Sequence, residues 1–258
     1  MTGRINRKRR FRNAIFKIDI RSAFDRISWG FLDNVLMTFG FGVRFRQLVA
    51  NSLHSSGLSL LINGMPTGFF CPNCGVKQGD PLSPSLFVLA MDVLSRMINL
   101  LRSSGEIDAF SGPRRTHPVS HLAYADDFLI FSTVRLHSTK RLAEVLDLFS
   151  RASALQINRG KSHVFHARST SKSVIRKTER ILGFASSSPP FVHLGCGMGV
   201  GRRRSERFRP QLDKISNRIA SWHSNLLSMG GKKILINSIL SSMVSYCTAA
   251  LNPPRFAG

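Results

Sequence analysis

The amino-acid sequence predicts an α+β fold, with an antiparallel sheet backed by helices and a helical C-terminal region. Residues 16–20 alternate apolar and charged side chains, which is the period of a half-buried strand. Residues 121–131 contain two short apolar runs on either side of Asp126 and Asp127, a pattern typical of a hairpin with the acids at its tip. The last third carries apolar residues at helical spacing with basic residues off that face.

The composition is that of a folded, strongly basic protein. Hydrophobic residues make up 43% of the 258 residues and the formal net charge is +23, so a packed core is expected and nucleic acid is the first partner to consider. A basic structural protein of the ribosomal kind is the alternative. No segment predicts a signal peptide or a membrane span. We therefore expect no membrane partner and a nuclear or cytoplasmic ribonucleoprotein, with the nucleus favoured and secretion excluded.

The N-terminal elements are a basic arm and a strand. Residues 1–12 form the arm, whose run at 7–10 (RKRR) suits either phosphate contact and nuclear targeting or a solvated terminus. In the strand that follows, the alternation places Lys17 and Asp19 on one face and the apolar side chains on the other. Asp19 is therefore expected at a strand end, pointing away from the core.

The middle of the chain predicts two helices, a hairpin and a long helix. Apolar spacing indicates helices over 29–39 and 45–53, then strands over 58–64 and 67–70. Cys71 and Cys74 have zinc-ligand spacing, but no second pair follows, which favours a turn. Ser83 is a suitable N-cap and Pro84 a suitable first residue for a helix buried on more than one side.

The remaining elements end in a basic helical tail. A loop over 102–118, the acid-bearing hairpin, a helix over 139–152, a strand over 161–167 and a linker over 169–173 are expected in turn. Helices over 212–222 and 234–243 follow the arginine cluster at 202–209. Such helices suit contact with a nucleic-acid backbone, and packing on the main domain is equally compatible.

The placement of the acids points to a metal site. Adjacent like charges repel, so a fold that retains Asp126 beside Asp127 is expected to supply a cation. If their strand neighbours that of Asp19, three carboxylates converge, and carboxylate oxygens are ligands for hard divalent cations. Such a site is what two-metal phosphoryl transfer requires.

Several segments resemble a known family. Residues 16–29 (FKIDIRSAFDRISW) resemble motif A of reverse transcriptases, 78–87 (QGDPLSPSLF) motif B and 124–127 (YADD) motif C. Residues 158–162 (NRGKS) and 193–195 (HLG) are weaker matches to motifs D and E. Their order and spacing are similar to the polymerases of LINE-type, non-LTR retrotransposons, especially those of plant genomes, and the helical tail resembles that group as well.

The resemblance implies a domain plan and partners. It implies a polymerase palm over 13–168, and a motif E remnant with thumb-like helices over 169–258. The expected function is RNA-directed DNA synthesis, in which a primer 3′-hydroxyl attacks a deoxynucleoside triphosphate on an RNA template. The partners are thus an RNA template, a DNA primer and dNTPs, whereas the oligomeric state is not predicted.

The resemblance also assigns roles to individual residues. Two Mg²⁺ ions, or Mn²⁺, would be held by Asp19, Asp126, Asp127 and the backbone carbonyl of Ile20. Nucleotide contacts would come from Phe24, which excludes a 2′-hydroxyl, from Gln78 and Gly79, and from Lys161 near the triphosphate. The primer grip would consist of His193, Leu194 and Gly195. Without the family context, a core aromatic and a solvated lysine would be the preferred interpretations of Phe24 and Lys161.

Two departures from the family pattern qualify this expectation. Only 18 residues precede Asp19, too few for the fingers region that precedes motif A in the family, which predicts a copy truncated before motif A. Motif E is also eroded after Gly195. A catalytically inactive remnant that only binds nucleic acid is therefore one alternative, and a group II intron maturase is another.

Overall fold

The structure, a computed structural model, describes residues 13–55, 57–110, 119–167, 169–194, 196–198, 209–220 and 228–241. The chain divides into two compact units, and the described residues of the first end at Ser187 while those of the second begin at Ser188. The predicted basic arm at 1–12 lies outside the described residues, as does the arginine cluster up to residue 208. The predicted functional division into arm, palm and thumb-like region stays a prediction.

The first unit is built on a sheet whose central strand is β1. Within the described part of the chain six strands join it, in the order β4 (His121–Tyr124), β5 (Asp127–Thr133), β1 (Asn13–Arg21), β7 (His163–His166) and β8 (Ala185–Ser187), with β6 (Gln156–Ile157) paired to the end of β1. These pairings are antiparallel except that of β7 with β8, which is parallel. The predicted α+β fold is confirmed.

Strand β1 shows the predicted alternation. Phe16 and Ile18 are buried, with 1% and 0% of their surface exposed, whereas Lys17 and Asp19 between them are half-buried. Because successive side chains of a strand point to opposite faces, the apolar set packs into the core and the polar pair lies on the other face.

Helices cover the apolar face of this sheet. Their bounds are α1 (Ala23–Arg26), α2 (Trp29–Thr38), α3 (Val43–His54), α4 (Ser83–Ser103), α5 (Leu136–Ser153) and α6 (Lys172–Leu182). The cores of α2, α4 and α5 join Phe16, Ile18 and Phe128 in one apolar cluster. At roughly 25 cal/mol per Å² of apolar surface removed from water, this burial is the main force that holds the helices on the sheet.

Helix α4 differs from its prediction in two details. Ser83 is its first residue rather than its N-cap, and Asp80 organises the preceding turn by accepting the Leu82 N–H at 2.8 Å. The helix is also long and apolar enough to cross a membrane by length and composition alone, although the sequence analysis had found no segment of that kind. Its buried stripe, which includes Phe87 and Leu94, accounts for that composition by packing in the core.

Three further elements refine the predicted order. The hairpin of β2 (Leu58–Ile62) and β3 (Met65–Phe70) lies where it was predicted, and its apolar side chains are largely exposed. The predicted linker over 169–173 is wrong at its end, because α6 begins at Lys172. Helix α6 is strongly amphipathic, with Val174, Ile175, Ile181 and Leu182 at helical spacing, a signal that the sequence analysis overlooked.

The second unit is described by itself. It contains a hairpin of β9 (Phe191–His193) and β10 (Cys196–Met198), and helices α7 (Arg209–Ala220) and α8 (Met229–Ile234). A π-helical segment, Leu235–Leu240, continues from α8. The two helices predicted in the tail are present. Both begin at earlier residues than the apolar pattern predicted.

A buried histidine makes the stability of the first unit depend on pH. His166 on β7 is 3% exposed, and its Nε2 is hydrogen-bonded to Ser186 Oγ at 3.0 Å. Burial lowers the pKa of His166 from 6.5 to about 4, and the negative charge of Glu179 partly offsets this shift by raising the pKa. The pKa of His166 is lower in the folded than in the unfolded protein. The contribution of this histidine to the free energy of unfolding is therefore fully present well above pH 6.5 and is lost as the pH falls from 6.5 towards 4.

We expect this group alone to lower the free energy of unfolding by about 2 kcal/mol between pH 7.5 and pH 5. His166→Gln keeps a hydrogen-bonding side chain without the titration, so the urea-unfolding free energy of this variant should change less over that range. His137→Gln, at an exposed position on α5, is the matched control and should retain the wild-type dependence. Some dependence remains in every variant because burial also lowers the pKa of His121. An identical pH dependence in His166→Gln and wild type would contradict the assignment.

Candidate active site

Strands β1 and β5 bring two of the predicted carboxylates side by side. Asp19 and Asp127 are directly paired across the antiparallel ladder, so their side chains lie on the same face. Asp126 occupies the turn between β4 and β5, next to Ala125, whose φ of 51° is left-handed. Asp126 is exposed, whereas Asp19 and Asp127 are half-buried. The strand pairing on which the predicted site depends is therefore present.

A lysine accompanies the carboxylates. Lys17 Nζ lies 3.6 Å from Asp127 Oδ1, on the same face as Asp19. In the part of the chain that the structure describes, no group of three or more His, Cys, Asp or Glu side chains is gathered closely enough to hold a metal ion. The donors are oxygen atoms of the type that Mg²⁺ prefers, so their chemistry fits the metal. Asp127 is instead engaged by a cation of the protein itself.

The backbone of Asp19 is fixed from the opposite side of β1. Its N–H donates to Ser162 Oγ at 3.1 Å, and its carbonyl accepts the Asn158 N–H at 2.8 Å. Ser162 is fully buried. Lys161 is exposed in the same turn, where its N–H donates to the Asn158 carbonyl at 3.2 Å. The turn that carries Lys161 is thus attached directly to Asp19, while the adjacent Ile20 is buried at the end of β1.

Phe24 lies on the short helix α1 that follows β1. Its ring stacks on Phe87 of α4, with centroids 4.7 Å apart and an angle of 23° between the planes. The side chain is half-buried and packs against the core cluster. The ring is therefore held in a fixed position five residues beyond Asp19.

Gln78 and Gly79 lie in an exposed turn before α4. Gln78 Nε2 donates to Asp25 Oδ1 at 2.9 Å. Asp25 belongs to α1, one residue after Phe24. This contact joins the segment that resembles motif A to the one that resembles motif B.

The predicted primer-grip residues belong to the second unit. His193 is buried on β9, and Leu194 is half-buried in the following turn with φ 48°. Gly195 lies outside the described residues. His193 and Leu194 lie at the end of β9 that leads towards β10, and the predicted primer-grip role of all three residues stays a prediction.

The sequence interpretation missed three residues of the site. Lys17 was placed on the face of Asp19 without a role, although the alternation of β1 already put both residues on one side. Ser162 had no distinguishing pattern beyond its position after Lys161. Asp25 was given no role, and its partner Gln78 is 53 residues away along the chain.

Comparison with known proteins matches this chain to one family. The family model described as reverse transcriptase (RNA-dependent DNA polymerase) matches residues 3–197. The Pol polyprotein of the type-2 retrotransposable element R2DM of Drosophila melanogaster is 36% identical over 136 residues, which are 53% of this chain and 12% of that protein. A 149 kDa protein of transposon TX1 of Xenopus laevis is 26% identical over 245 residues, 94% of this chain and 18% of its own length.

A solved structure shares the fold. A telomerase of Candida tropicalis, determined in complex with a TWJ fragment of telomeric RNA, superposes with a TM-score of 0.53 at 12% sequence identity. The match covers 93% of this chain and 38% of the telomerase chain. This likeness concerns the fold alone, and the chain spans less than a fifth of either retrotransposon protein.

Proposed function

The chain belongs to the reverse transcriptase (RNA-dependent DNA polymerase) family, and from that membership we propose that it is the polymerase domain of a non-LTR retrotransposon. Its reaction would join a deoxynucleoside triphosphate to a DNA primer on an RNA template. The observation that carries the proposal is the pairing of Asp19 with Asp127 beside the Asp126 turn, on the strands that bear motifs A and C. The net charge of +23 suits a nucleic-acid duplex as the substrate.

We propose that Asp19, Asp126, Asp127 and the backbone carbonyl of Ile20 hold two Mg²⁺ ions. When bound, such ions supply activation of the primer hydroxyl and charge neutralisation at the leaving phosphate. Lys17 would then have to release Asp127, and a metal-bound carboxylate no longer needs a lysine to offset its charge. The ion pair between Lys17 and Asp127 thus keeps the repelling carboxylates together before the metal arrives.

The surrounding residues would bind and orient the nucleotide. The Phe24 ring, fixed on Phe87, would exclude a 2′-hydroxyl by its bulk. Gln78 and Gly79 would contact the incoming nucleotide and the template. Lys161, exposed on the turn bonded to Asp19, would protonate the pyrophosphate leaving group as a general acid.

Further details of this proposal concern the second unit and the source of the chain. The hairpin with His193, Leu194 and Gly195 would grip the primer. The helical tail resembles that of plant-type elements, on which we base the proposal of a plant-type source. A nuclear or cytoplasmic ribonucleoprotein, with the nucleus favoured, is the proposed location.

A second candidate function is nucleic-acid binding without catalysis, which is the expectation for an inactive remnant. The specific observation in its favour is the salt bridge of Lys17 with Asp127, together with the lack of a gathered metal-ligand cluster among the described side chains. Such a protein would bind RNA–DNA duplexes with an affinity that falls steeply with salt concentration.

Primer extension distinguishes the two candidates. We expect the purified chain to extend a DNA primer annealed to an RNA template when Mg²⁺ and dNTPs are present, and to stop when EDTA is added. Binding of the same labelled duplex is measured in parallel over 50 to 200 mM salt, the range over which phosphate contacts weaken by orders of magnitude. Salt-dependent binding with no extension would overturn the polymerase proposal and support the second candidate.

A further inference from the structure

We propose that Asp25 is a positioning residue that holds the Gln78 side chain in the orientation needed to read the incoming nucleotide. This inference rests on the polymerase function proposed above. Asp25 does not carry any of the roles assigned to the metal-binding or nucleotide-contacting residues. The contact of Asp25 with Gln78 gives Asp25 an indirect role in nucleotide binding.

The hydrogen bond between the two side chains fixes which way the Gln78 amide faces. Gln78 Nε2 donates to Asp25 Oδ1 at 2.9 Å. A carboxylate can only accept, so the amide oxygen cannot replace Nε2 in this contact without placing two acceptors together. The Gln78 Oε1 atom is therefore turned away from Asp25. It remains available as an acceptor, and one N–H of the amide remains available as a donor.

Hydrogen bonds join the backbone segments that carry the two residues. The Val76 N–H donates to the Phe24 carbonyl at 2.7 Å, and the Gly75 N–H donates to the Ile27 carbonyl at 2.8 Å. Trp29 Nε1 donates to the Gly75 carbonyl at 2.6 Å. The turn of α1 and the loop before Gln78 thus form one rigid frame. Within that frame, Asp25 determines the remaining rotation of the Gln78 amide.

The pair lies where a ligand can reach it. Both side chains are exposed and line a cavity of about 380 Å³, whose wall also contains Lys77 and Trp29. A glutamine at such an opening has many rotamers, and fixing one of them before the nucleotide arrives reduces the entropy lost on binding. The expected consequence is tighter nucleotide binding rather than faster chemistry.

Replacing Asp25 should therefore raise the KM for dNTP and leave kcat nearly unchanged. We expect Asp25→Ala to raise this KM about three- to tenfold, the range of one hydrogen bond at an exposed position, with kcat within about twofold of wild type. Asp25→Asn keeps an oxygen acceptor for Nε2 and should restore a KM close to that of wild type. Asp147→Ala on α5 removes an exposed, ion-paired carboxylate from another helix and should leave both constants unchanged.

A double-mutant cycle tests whether Asp25 acts through Gln78. In a Gln78→Ala background, Asp25→Ala should add no further increase in KM, because the group that it positions is already gone. An equal increase in both backgrounds would overturn the inference. So would an Asp25→Ala enzyme with the wild-type KM, or an Asp25→Asn enzyme as impaired as Asp25→Ala.

A readout without catalysis keeps the inference separate from the proposed function. In a ¹⁵N-labelled chain, the side-chain amide resonances of Gln78, assigned by their loss in Gln78→Ala, should move towards those of a free, solvated glutamine in Asp25→Ala and stay in place in Asp25→Asn. Unchanged resonances in Asp25→Ala would overturn the positioning role. The expected shifts in a chain that extends no primer would support that role while the polymerase proposal fails.

Discussion

Asp19→Asn and Asp126→Asn should each reduce primer extension at least about 100-fold, because each removes a negative charge from the proposed metal site. A metal ion that neutralises charge in the transition state contributes several kcal/mol, and each 1.36 kcal/mol corresponds to a tenfold change in rate. Asparagine has nearly the shape of aspartate, so the local strand pairing should be retained. The rate is measured as single-turnover extension of a labelled primer at saturating dNTP and Mg²⁺.

The stability of these variants separates a metal site from a structural role. Asp19 and Asp127 are paired across the ladder, and removing one of two facing charges relieves repulsion. The free energy of unfolding without metal should therefore be unchanged or higher in Asp19→Asn. Asp147→Asn, on the exposed face of α5, should alter neither the rate nor the stability. Wild-type extension by Asp126→Asn would refute the proposed metal site, and a large loss of stability would indicate a structural role.

The predictable part of the fold is the part with local periodicity. The alternation of β1 placed Lys17 and Asp19 on one face, and the apolar runs around Asp126 gave the β4–β5 hairpin. Pairing Asp19 with Asp127 then required only that these two strands be neighbours. Helix α6 also had such a signal, since Val174, Ile175, Ile181 and Leu182 recur at helical spacing, but the polar residues before it led to the prediction of a linker instead.

The contacts that hold the site residues in place could not be predicted from local sequence patterns. The partner of Gln78 is Asp25 and that of the Asp19 N–H is Ser162, 53 and 143 residues apart along the chain. Neither pair shares a strand or helix, so no periodic pattern links its members. The salt bridge of Lys17 with Asp127 also depends on the register of two strands. A shift by one residue would reverse the faces and separate the two charges.

Gly75→Ala should destabilise the first unit by about 3 kcal/mol or more, through two separable effects. Gly75 has φ +84°, where an alanine is strained by about 1–2 kcal/mol. A Cβ at this position would also lie 2.7 Å from the backbone carbonyl oxygen of Asp25 and 2.8 Å from its carbonyl carbon. Backbone atoms cannot move aside as a flexible side chain can, so the loop or α1 must shift.

Gly105→Ala is the control that isolates the steric clash. Gly105 has a similar φ of +76°, and a Cβ there meets nothing within 4 Å. The strain of the left-handed conformation and the reduced freedom of the unfolded chain are therefore common to both variants. The difference between their urea-unfolding free energies, expected to be about 1–3 kcal/mol, measures the clash with Asp25. Equal losses in both variants would show that α1 and the loop are not in close contact.

The displacement can also be followed at Trp29, whose Nε1 donates to the Gly75 carbonyl at 2.6 Å. In a Trp222→Phe background, where Trp29 is the remaining tryptophan, Gly75→Ala should change the emission maximum of the folded protein and Gly105→Ala should not. Because the same loop carries Gln78, the folded Gly75→Ala enzyme should also show a higher KM for dNTP. A substitution 56 residues from Asp19 in the sequence would then weaken nucleotide binding without altering any carboxylate, which is the result expected if a close backbone contact assembles the two motifs into one site.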